Sequence, residues 1–315
     1  KEGRHFSRKS WNMNLDKIHE RCKGALYGVA IGDALGAAVE FKYPGEFPPV
    51  TCYRNGGPHR LAAGQWTDDT SMALALADSI IHKGWDLDDQ IKRYVDWWQN
   101  GTYSVNGECF DIGTTTRMAL NEYTSSGNVH TCADRSPESS GNGSIMRLAP
   151  VAIYGWSYYP FDLGRLLDMA EESSVTTHAS KQCKDCCRFM AYLLAALING
   201  EEKDKVLDGY QAISVPVVDT IVRGSYKLKS ENTIVGGGWV VQSLEAALWA
   251  FYRSYSFEEA VLRAVNLGND ADTTGAVCGQ IAGAYYGYSA IPKHLIEGLD
   301  RKDMIDKAIN GLLSI

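Results

Sequence analysis

Apolar residues recur at intervals of three and four along most of the chain, the spacing that places them on one face of an α-helix. Alternation of apolar and polar residues, typical of a half-buried strand, is rare, and residues 235–241 are too rich in glycine to predict one. The pattern predicts helices over residues 15–39, 71–82, 87–98, 115–123, 165–172, 181–199, 217–227, 241–252, 257–267, 273–286 and 303–312. Since no linker rich in proline or serine divides the chain, we predict a single compact all-α domain over residues 14–315.

Two of these predicted helices carry glycine at every fourth position. The first stripe is Gly24, Gly28, Gly32 and Gly36, and the second is Gly275, Gly279, Gly283 and Gly287. Glycine inside a helix is less stable than alanine by about 0.5–1 kcal/mol, so some other interaction must offset this loss. We expect the stripes to mark places where helix backbones approach each other closely at the centre of the bundle.

The charge balance limits the classes of partner. The chain has 31 Lys and Arg against 38 Asp and Glu, a net charge of −7, which argues against nucleic-acid or anionic-membrane binding through a basic face.

No run of about 18 uncharged apolar residues predicts a membrane span. Residues 1–13 lack the apolar segment of a secretory signal, and we predict that they form a flexible arm. The eight cysteines show no disulfide-framework spacing, so we predict reduced thiols and a cytoplasmic location.

Carboxylates and hydroxyls are concentrated in two short segments, each at the predicted start of a helix. Residues 65–71 read QWTDDTS and residues 269–274 read NDADTT. Either segment alone could simply cap its helix, because Ser, Thr, Asp and Asn are favoured there. Together they hold four carboxylates, which repel one another at close range unless cations lie between them.

If the two segments meet in space, their oxygen atoms form a set without His or Cys that suits Mg²⁺ or Mn²⁺ better than zinc. Such a set would serve two ions about 3.5–4 Å apart. The six candidate metal ligands are Thr67, Asp68, Asp69, Asp270, Asp272 and Thr273.

Four motifs resemble those of the ADP-ribosylglycohydrolase family, in the bacterial branch that includes the dinitrogenase-reductase-activating glycohydrolase. They stand in the family order and are GALYGVAIGDALG at 24–36, WTDDT at 66–70, GNGSIMR at 141–147 and NDADT at 269–273. The resemblance covers roughly residues 22–312. It implies an orthogonal bundle of helices with a dinuclear Mg²⁺ or Mn²⁺ site, which hydrolyses the bond between C1″ of ADP-ribose and an acceptor side chain.

The resemblance also assigns roles to individual residues. The metal ligands fall on the same six residues, and Glu40 and Asp111 become the candidate catalytic carboxylates. Candidate substrate-binding residues are Asp33, Gly113, Thr114, Thr115, Gly141, Asn142, Gly143, Ser144, Met146 and His178. Backbone N–H groups of the glycine turns would bind the pyrophosphate. The alternatives are a solvated acid for Glu40, an N-cap for Asp111, plain turns for the glycine segments and a structural role for His178.

We therefore predict a hydrolase that removes ADP-ribose from a modified arginine of a protein substrate. One alternative is the same fold acting on another linkage, such as ADP-ribosyl-serine or O-acyl-ADP-ribose. A second is a non-catalytic ADP-ribose binder or structural protein. A third is an immunity protein whose partner is an ADP-ribosyltransferase toxin, acting either by hydrolysis or by occluding the toxin.

Overall fold

A computed structural model describes the backbone of residues 8–315 and the side chains from residue 14 onward. The fourteen helices of these residues are α1 (Arg8–Gly36), α2 (Asp68–Lys83), α3 (Leu87–Asn100), α4 (Thr114–Ser126), α5 (Ala149–Tyr154), α6 (Leu163–Val175), α7 (Lys181–Ile198), α8 (Lys203–Leu207), α9 (Pro216–Val222), α10 (Val240–Tyr252), α11 (Phe257–Val265), α12 (Ala271–Tyr286), α13 (Lys293–Glu297) and α14 (Lys302–Leu313). Within the described range, strand-type pairing is limited to two isolated bridges, Gly56 with Leu61 and Gly141 with Trp239. The predicted all-α class is confirmed.

Each of the eleven predicted helices corresponds to an observed one. Three short helices, α5, α8 and α13, were not predicted, because five or six residues are too few to show a helical period. The helix predicted over 217–227 is divided. Its first part, α9, ends at Val222, Gly224 adopts a positive φ of 96°, and a 3-10 turn follows over Ser225–Leu228.

The glycine stripes mark a close contact of helix backbones, as predicted, and the structure shows that the two stripes face each other. A Cβ atom added to Gly28 would lie 1.9 Å from the carbonyl oxygen of Gly279, and one added to Gly32 would lie 1.9 Å from that of Gly275. Gly24 meets Gly283 in the same way. Because the partner's number falls as the residue number rises, α1 and α12 run antiparallel with their backbones in contact.

This antiparallel contact positions the functional site. The C-terminal end of α1, followed by a 3-10 turn over Ala37–Val39 and then Glu40, lies beside the start of α12. Gly36 packs against the backbone of Ala271, the first residue of α12. One continuous hydrophobic core extends from α1 to α14 around this helix pair.

The segment 14–39 is long and apolar enough to cross a membrane by length and composition, but 94% of its most apolar window is buried inside the fold. It is the central helix of the core. The flexible arm predicted over residues 1–13 falls partly on residues 1–7, which lie outside the described residues, and partly on the first turns of α1. The arm stays a prediction.

Candidate metal centre and the cavity beside it

The two acidic segments meet at the starts of α2 and α12. The hydroxyl of Thr67 lies 3.1 Å from Oδ2 of Asp272, although the two residues are 205 positions apart in sequence. Neither Thr67, at the N-cap of α2, nor Asp270, at the N-cap of α12, makes a side-chain capping hydrogen bond. Capping therefore does not account for these side chains.

Asp33 of α1 holds the start of α2 in place. Its buried carboxylate accepts hydrogen bonds from the backbone N–H and hydroxyl of Thr67, at 2.9 and 2.7 Å. It also accepts from the N–H and hydroxyl of Thr70, at 3.1 and 2.7 Å. Asp33 was predicted to bind substrate, but it lies beneath the site with both oxygens already bonded to protein, so the structure gives it a supporting position instead.

The two segments together form an acidic cluster, which consists of Thr67, Asp68, Asp69, Asp270, Asp272 and Thr273. Several of its oxygens have no partner among the described residues. Both carboxylate oxygens of Asp69, and Oδ1 of Asp272, are buried without a hydrogen bond. Burial, and then the charge of neighbouring carboxylates, raises the pKa of Asp68, Asp69 and Asp272 well above the usual range. Buried carboxylates in this state need a cation or protons to balance them. This acidic cluster could therefore hold metal.

The spacing of the oxygens agrees with this interpretation. Carboxylate oxygens of Asp33, Asp69 and Asp272 lie within 4.8 Å of one another. Two further groups of carboxylate oxygens also lie within 4.8 Å of one another, and both include Asp272. One consists of Glu40, Asp270 and Asp272, and the other of Asp68, Asp111 and Asp272. These three groups overlap at Asp272, so the carboxylates are close enough together to hold metal.

Asn142 fixes the orientation of Asp270. Its side-chain N–H₂ donates to Oδ2 of Asp270 at 2.7 Å and to the hydroxyl of Ser243 at 2.7 Å. Ser243 in turn donates to the carbonyl of Gly237 at 2.7 Å. Asn142 was predicted to bind substrate. It does line the cavity described next, but both of its donor hydrogens are directed at the protein.

A cavity of about 300 Å³ opens beside the acidic cluster. Most of the predicted site residues line it, namely Glu40, Asp68, Asp111, Gly113, Thr114, Thr115, Gly141, Asn142, Gly143, Met146, His178, Asp270 and Thr273. Four further lining residues were not predicted: Phe41, Thr116, Gly238 and Asn269. The structure thus brings residues from seven separate parts of the chain to one cavity.

Ser144 is a predicted substrate-binding residue that the structure does not bring to the cavity. Its hydroxyl is buried, 2.8 Å from Oγ of Ser174 and 3.3 Å from Sγ of Cys187. The side chain therefore points into the packing of α6 and α7, where its hydrogen bonds are satisfied.

The buried, neutral imidazole of His178 lines the cavity. Burial, and then the charge of Arg147, lowers the pKa of its imidazole to about 3. Its Nδ1 lies 2.8 Å from the hydroxyl of Thr177, and a Cβ at Gly143 would come within 2.5 Å of its ring. Glycine at 143 therefore allows the turn to lie directly on the imidazole.

Glu40 and Asp111 stand together at one side of the cavity, joined by His59. Nε2 of His59 lies 3.1 Å from Oδ1 of Asp111 and 3.6 Å from Oε2 of Glu40. Glu40 is only 3% exposed, so it is not a solvated acid, and the N-cap of α4 is Gly113, so Asp111 is not a cap. Burial, and then Glu40, raises the pKa of Asp111 to about 8, and Glu40 raises the pKa of His59.

His59 was missed in the sequence because a single histidine in a loop has no periodicity or spacing that marks it. Phe41 was missed for the same reason, and Asn269 was passed over although it opens the NDADT motif; the two residues have positive φ angles of 68° and 57°. Their backbones are joined across the site edge, where the N–H of Phe41 donates to the carbonyl of Asn269 at 2.6 Å. These contacts depend only on the packing of distant segments.

Comparison with known proteins places the chain in a family. The family model described as ADP-ribosylglycohydrolase matches residues 14–314. The chain therefore belongs to the ADP-ribosylglycohydrolase family, as its motifs had indicated.

Individual relatives are similar over nearly the whole chain. An ADP-ribosylarginine hydrolase Tri1 of Serratia proteamaculans is 41% identical over 93% of this chain and 79% of its own length. The protein of the same name from Pseudomonas putida is 40% identical, over 95% and 80%. The ADP-ribosyl-[dinitrogen reductase] glycohydrolase of Rhodospirillum rubrum is 31% identical, over 96% and 99%. A solved structure titled ADP-ribosylglycohydrolase-related protein complex superposes with a TM-score of 0.83 at 38% identity, over 95% of this chain and 99% of that one.

Proposed function

We propose that this protein is an ADP-ribosylhydrolase that releases ADP-ribose from modified arginine side chains of proteins. Two observations support the proposal together. Relatives about 40% identical over most of the chain are named for this activity, and the buried oxygens of Asp69 have no partner in the described chain, beside a cavity lined by Glu40 and Asp111. A cytoplasmic location is part of the same proposal.

The cofactor that we propose is a pair of Mg²⁺ or Mn²⁺ ions. The residues present fit such ions, because the donors of the acidic cluster are carboxylate and hydroxyl oxygens. The ligands would be Thr67, Asp68, Asp69, Asp270, Asp272 and Thr273. When bound, such ions supply Lewis-acid chemistry, orienting ribose hydroxyls and making a water more acidic.

The other residues of the cavity bind and orient the substrate. Gly141, Gly143 and the start of α4 after Gly113 offer backbone N–H groups without bulky side chains in the way, which suits a pyrophosphate. Glu40 or Asp111 would accept the proton of the attacking water or assist departure of the arginine. Whichever of the two is ionised would also stabilise the positive charge that develops at C1″ in an oxocarbenium-like transition state.

The experiment compares two matched peptides, one carrying ADP-ribosyl-arginine and the other ADP-ribosyl-serine, with Mg²⁺, Mn²⁺ or EDTA. We expect free ADP-ribose from the arginine peptide when metal is present and none in EDTA. Release from the serine peptide alone would replace the proposed linkage with its alternative. Full activity in a metal-stripped sample would contradict the metal centre.

The same assay separates hydrolysis from toxin occlusion. A protein that only covers an ADP-ribosyltransferase toxin would protect the toxin's target without releasing ADP-ribose from a peptide. We expect release in the absence of any toxin.

A further inference from the structure

His59, Glu40 and Asp111 present three ligand atoms to one point beside the acidic cluster. Nε2 of His59 lies 3.1 Å from Oδ1 of Asp111 and 3.6 Å from Oε2 of Glu40, and the three residues each offer a ligand atom within 4.8 Å of the other two. Yet Nε2 of His59 and Oε2 of Glu40 are buried and make no hydrogen bond within the described residues. When the imidazole is protonated these contacts are ion pairs, and when it is neutral its unpaired Nε2 can instead bind a metal ion.

The distances fit a zinc ion held between the three atoms. Zinc binds imidazole nitrogen at about 2.0–2.1 Å and carboxylate oxygen at about 2.0–2.2 Å in tetrahedral geometry. Two neighbouring ligands of such an ion are about 3.3–3.5 Å apart, as follows from those bond lengths. The observed separations of 3.1 and 3.6 Å differ from this range by tenths of an ångström.

The three ligands are held by separate parts of the fold. His59 lies in a loop closed by two backbone hydrogen bonds between Gly56 and Leu61, and its ring packs 5.2 Å from that of Phe110. Glu40 is 97% buried at the end of the 3-10 turn after α1. Glu40 and Asp111 also line the cavity, which gives an ion access to the site and leaves room for a water to complete the coordination.

We propose that His59, Glu40 and Asp111 form a binding site for Zn²⁺, distinct from the proposed Mg²⁺ or Mn²⁺ pair. The imidazole makes the difference, because nitrogen ligands favour zinc over Mg²⁺. Bound zinc inhibits hydrolysis, because it withdraws Glu40 and Asp111 from the substrate. Only this inhibition rests on the proposed function; the binding of zinc does not.

The binding test is equilibrium dialysis of the full chain against Zn²⁺ in excess Mg²⁺, with the bound zinc counted. The variants are His59→Gln and the control His82→Gln, which removes an exposed histidine 3.0 Å from the carboxylate of Asp78. We expect the parent and the His82 variant to retain one zinc more than the His59 variant. Zinc that merely replaces Mg²⁺ would remain in all three proteins.

Equal zinc in the three proteins would overturn the proposal, as would a parent that retains none. Glu40→Gln gives a second, isosteric test should the His59 variant fail to fold, and we expect it to lose the same zinc. Retention of that zinc by a folded Glu40 variant would also contradict the site.

The activity test measures the zinc concentration that halves hydrolysis, relative to each variant's own zinc-free rate. We expect this concentration to rise at least tenfold in His59→Gln and to stay unchanged in His82→Gln. Unaltered inhibition of the His59 variant would show that zinc acts elsewhere. If the zinc-free parent does not hydrolyse the peptide, the proposed function fails, while the dialysis result is unaffected.

Discussion

Some carboxylates of the acidic cluster are buried away from water and have no hydrogen-bond partner among the described residues. Asp69 shows this most clearly, since it is 1% exposed and neither of its oxygens is hydrogen-bonded in the described chain. Asp33, one layer below, is instead satisfied by four hydrogen bonds from Thr67 and Thr70. The two residues illustrate different tasks, since the carboxylate of Asp33 fixes the start of α2 and that of Asp69 is left without a protein partner.

Asp69→Asn should separate function from stability at this position. Replacing a buried, unpaired carboxylate by a neutral amide removes repulsion, so we expect the metal-free variant to unfold at the same denaturant concentration as the parent or a higher one. Hydrolysis should fall to near the background rate, because a ligand is lost. Chemical denaturation in EDTA and the peptide assay measure the two effects. A metal-free variant much less stable than the parent would indicate that Asp69 has a structural partner.

At the scale of elements, α1 and α12 act as one unit. Their backbones touch at three pairs of glycines, and this contact brings Glu40, after α1, beside the start of α12. Any side chain in the contact would have to separate the helices and would disturb the site at their end.

Gly28→Ala tests this contact. The new Cβ would lie 1.9 Å from the carbonyl oxygen of Gly279, which is backbone and cannot move aside. We expect a loss of about 1–3 kcal/mol or more in the free energy of unfolding, by overpacking, although alanine is the better helix former. The matched control is Gly164→Ala in α6, where no atom lies within 4 Å of the new Cβ.

For Gly164→Ala we expect no loss, or a gain of up to about 1 kcal/mol, because alanine restricts the unfolded chain. Urea denaturation of both variants gives the comparison. Equal stability of Gly28→Ala and the parent would mean that the two helices tolerate separation and that the packing argument is wrong.

At the scale of the whole molecule, the acidic cluster joins the starts of α2 and α12, which are more than 200 positions apart in sequence. A metal ion held by both segments would bind the folded protein and not the unfolded chain. Binding of this kind stabilises the fold in proportion to the logarithm of the free ion concentration.

We therefore expect the melting temperature to rise on addition of Mg²⁺ or Mn²⁺. At a hundred times the dissociation constant, the free energy of unfolding should increase by about 2.7 kcal/mol. Thermal melts over a series of ion concentrations measure this, with Asp69→Asn and an equal ionic strength of KCl as controls. A rise of the same size with KCl, or in the variant, would point to general screening rather than to the acidic cluster.

The sequence alone determined the features that depend on near neighbours along the chain. Helical periodicity is local, so eleven helices were predicted near their observed positions, whereas helices as short as α8 and α13 gave too little pattern. The acidic segments and the glycine turns were recognisable because each motif is contiguous. The glycine stripes even predicted close helix contact, since a repeated loss of helix stability needs an offsetting interaction.

Only the tertiary structure decided which of these segments meet. Packing of distant segments placed Asp33 below the acidic cluster, turned Ser144 toward Ser174, and directed the donor hydrogens of Asn142 at Asp270 and Ser243. It also brought His59 between Glu40 and Asp111, the two residues predicted to be the catalytic carboxylates. These outcomes depend on distances between residues far apart in the chain, and such distances leave no period or spacing in the sequence.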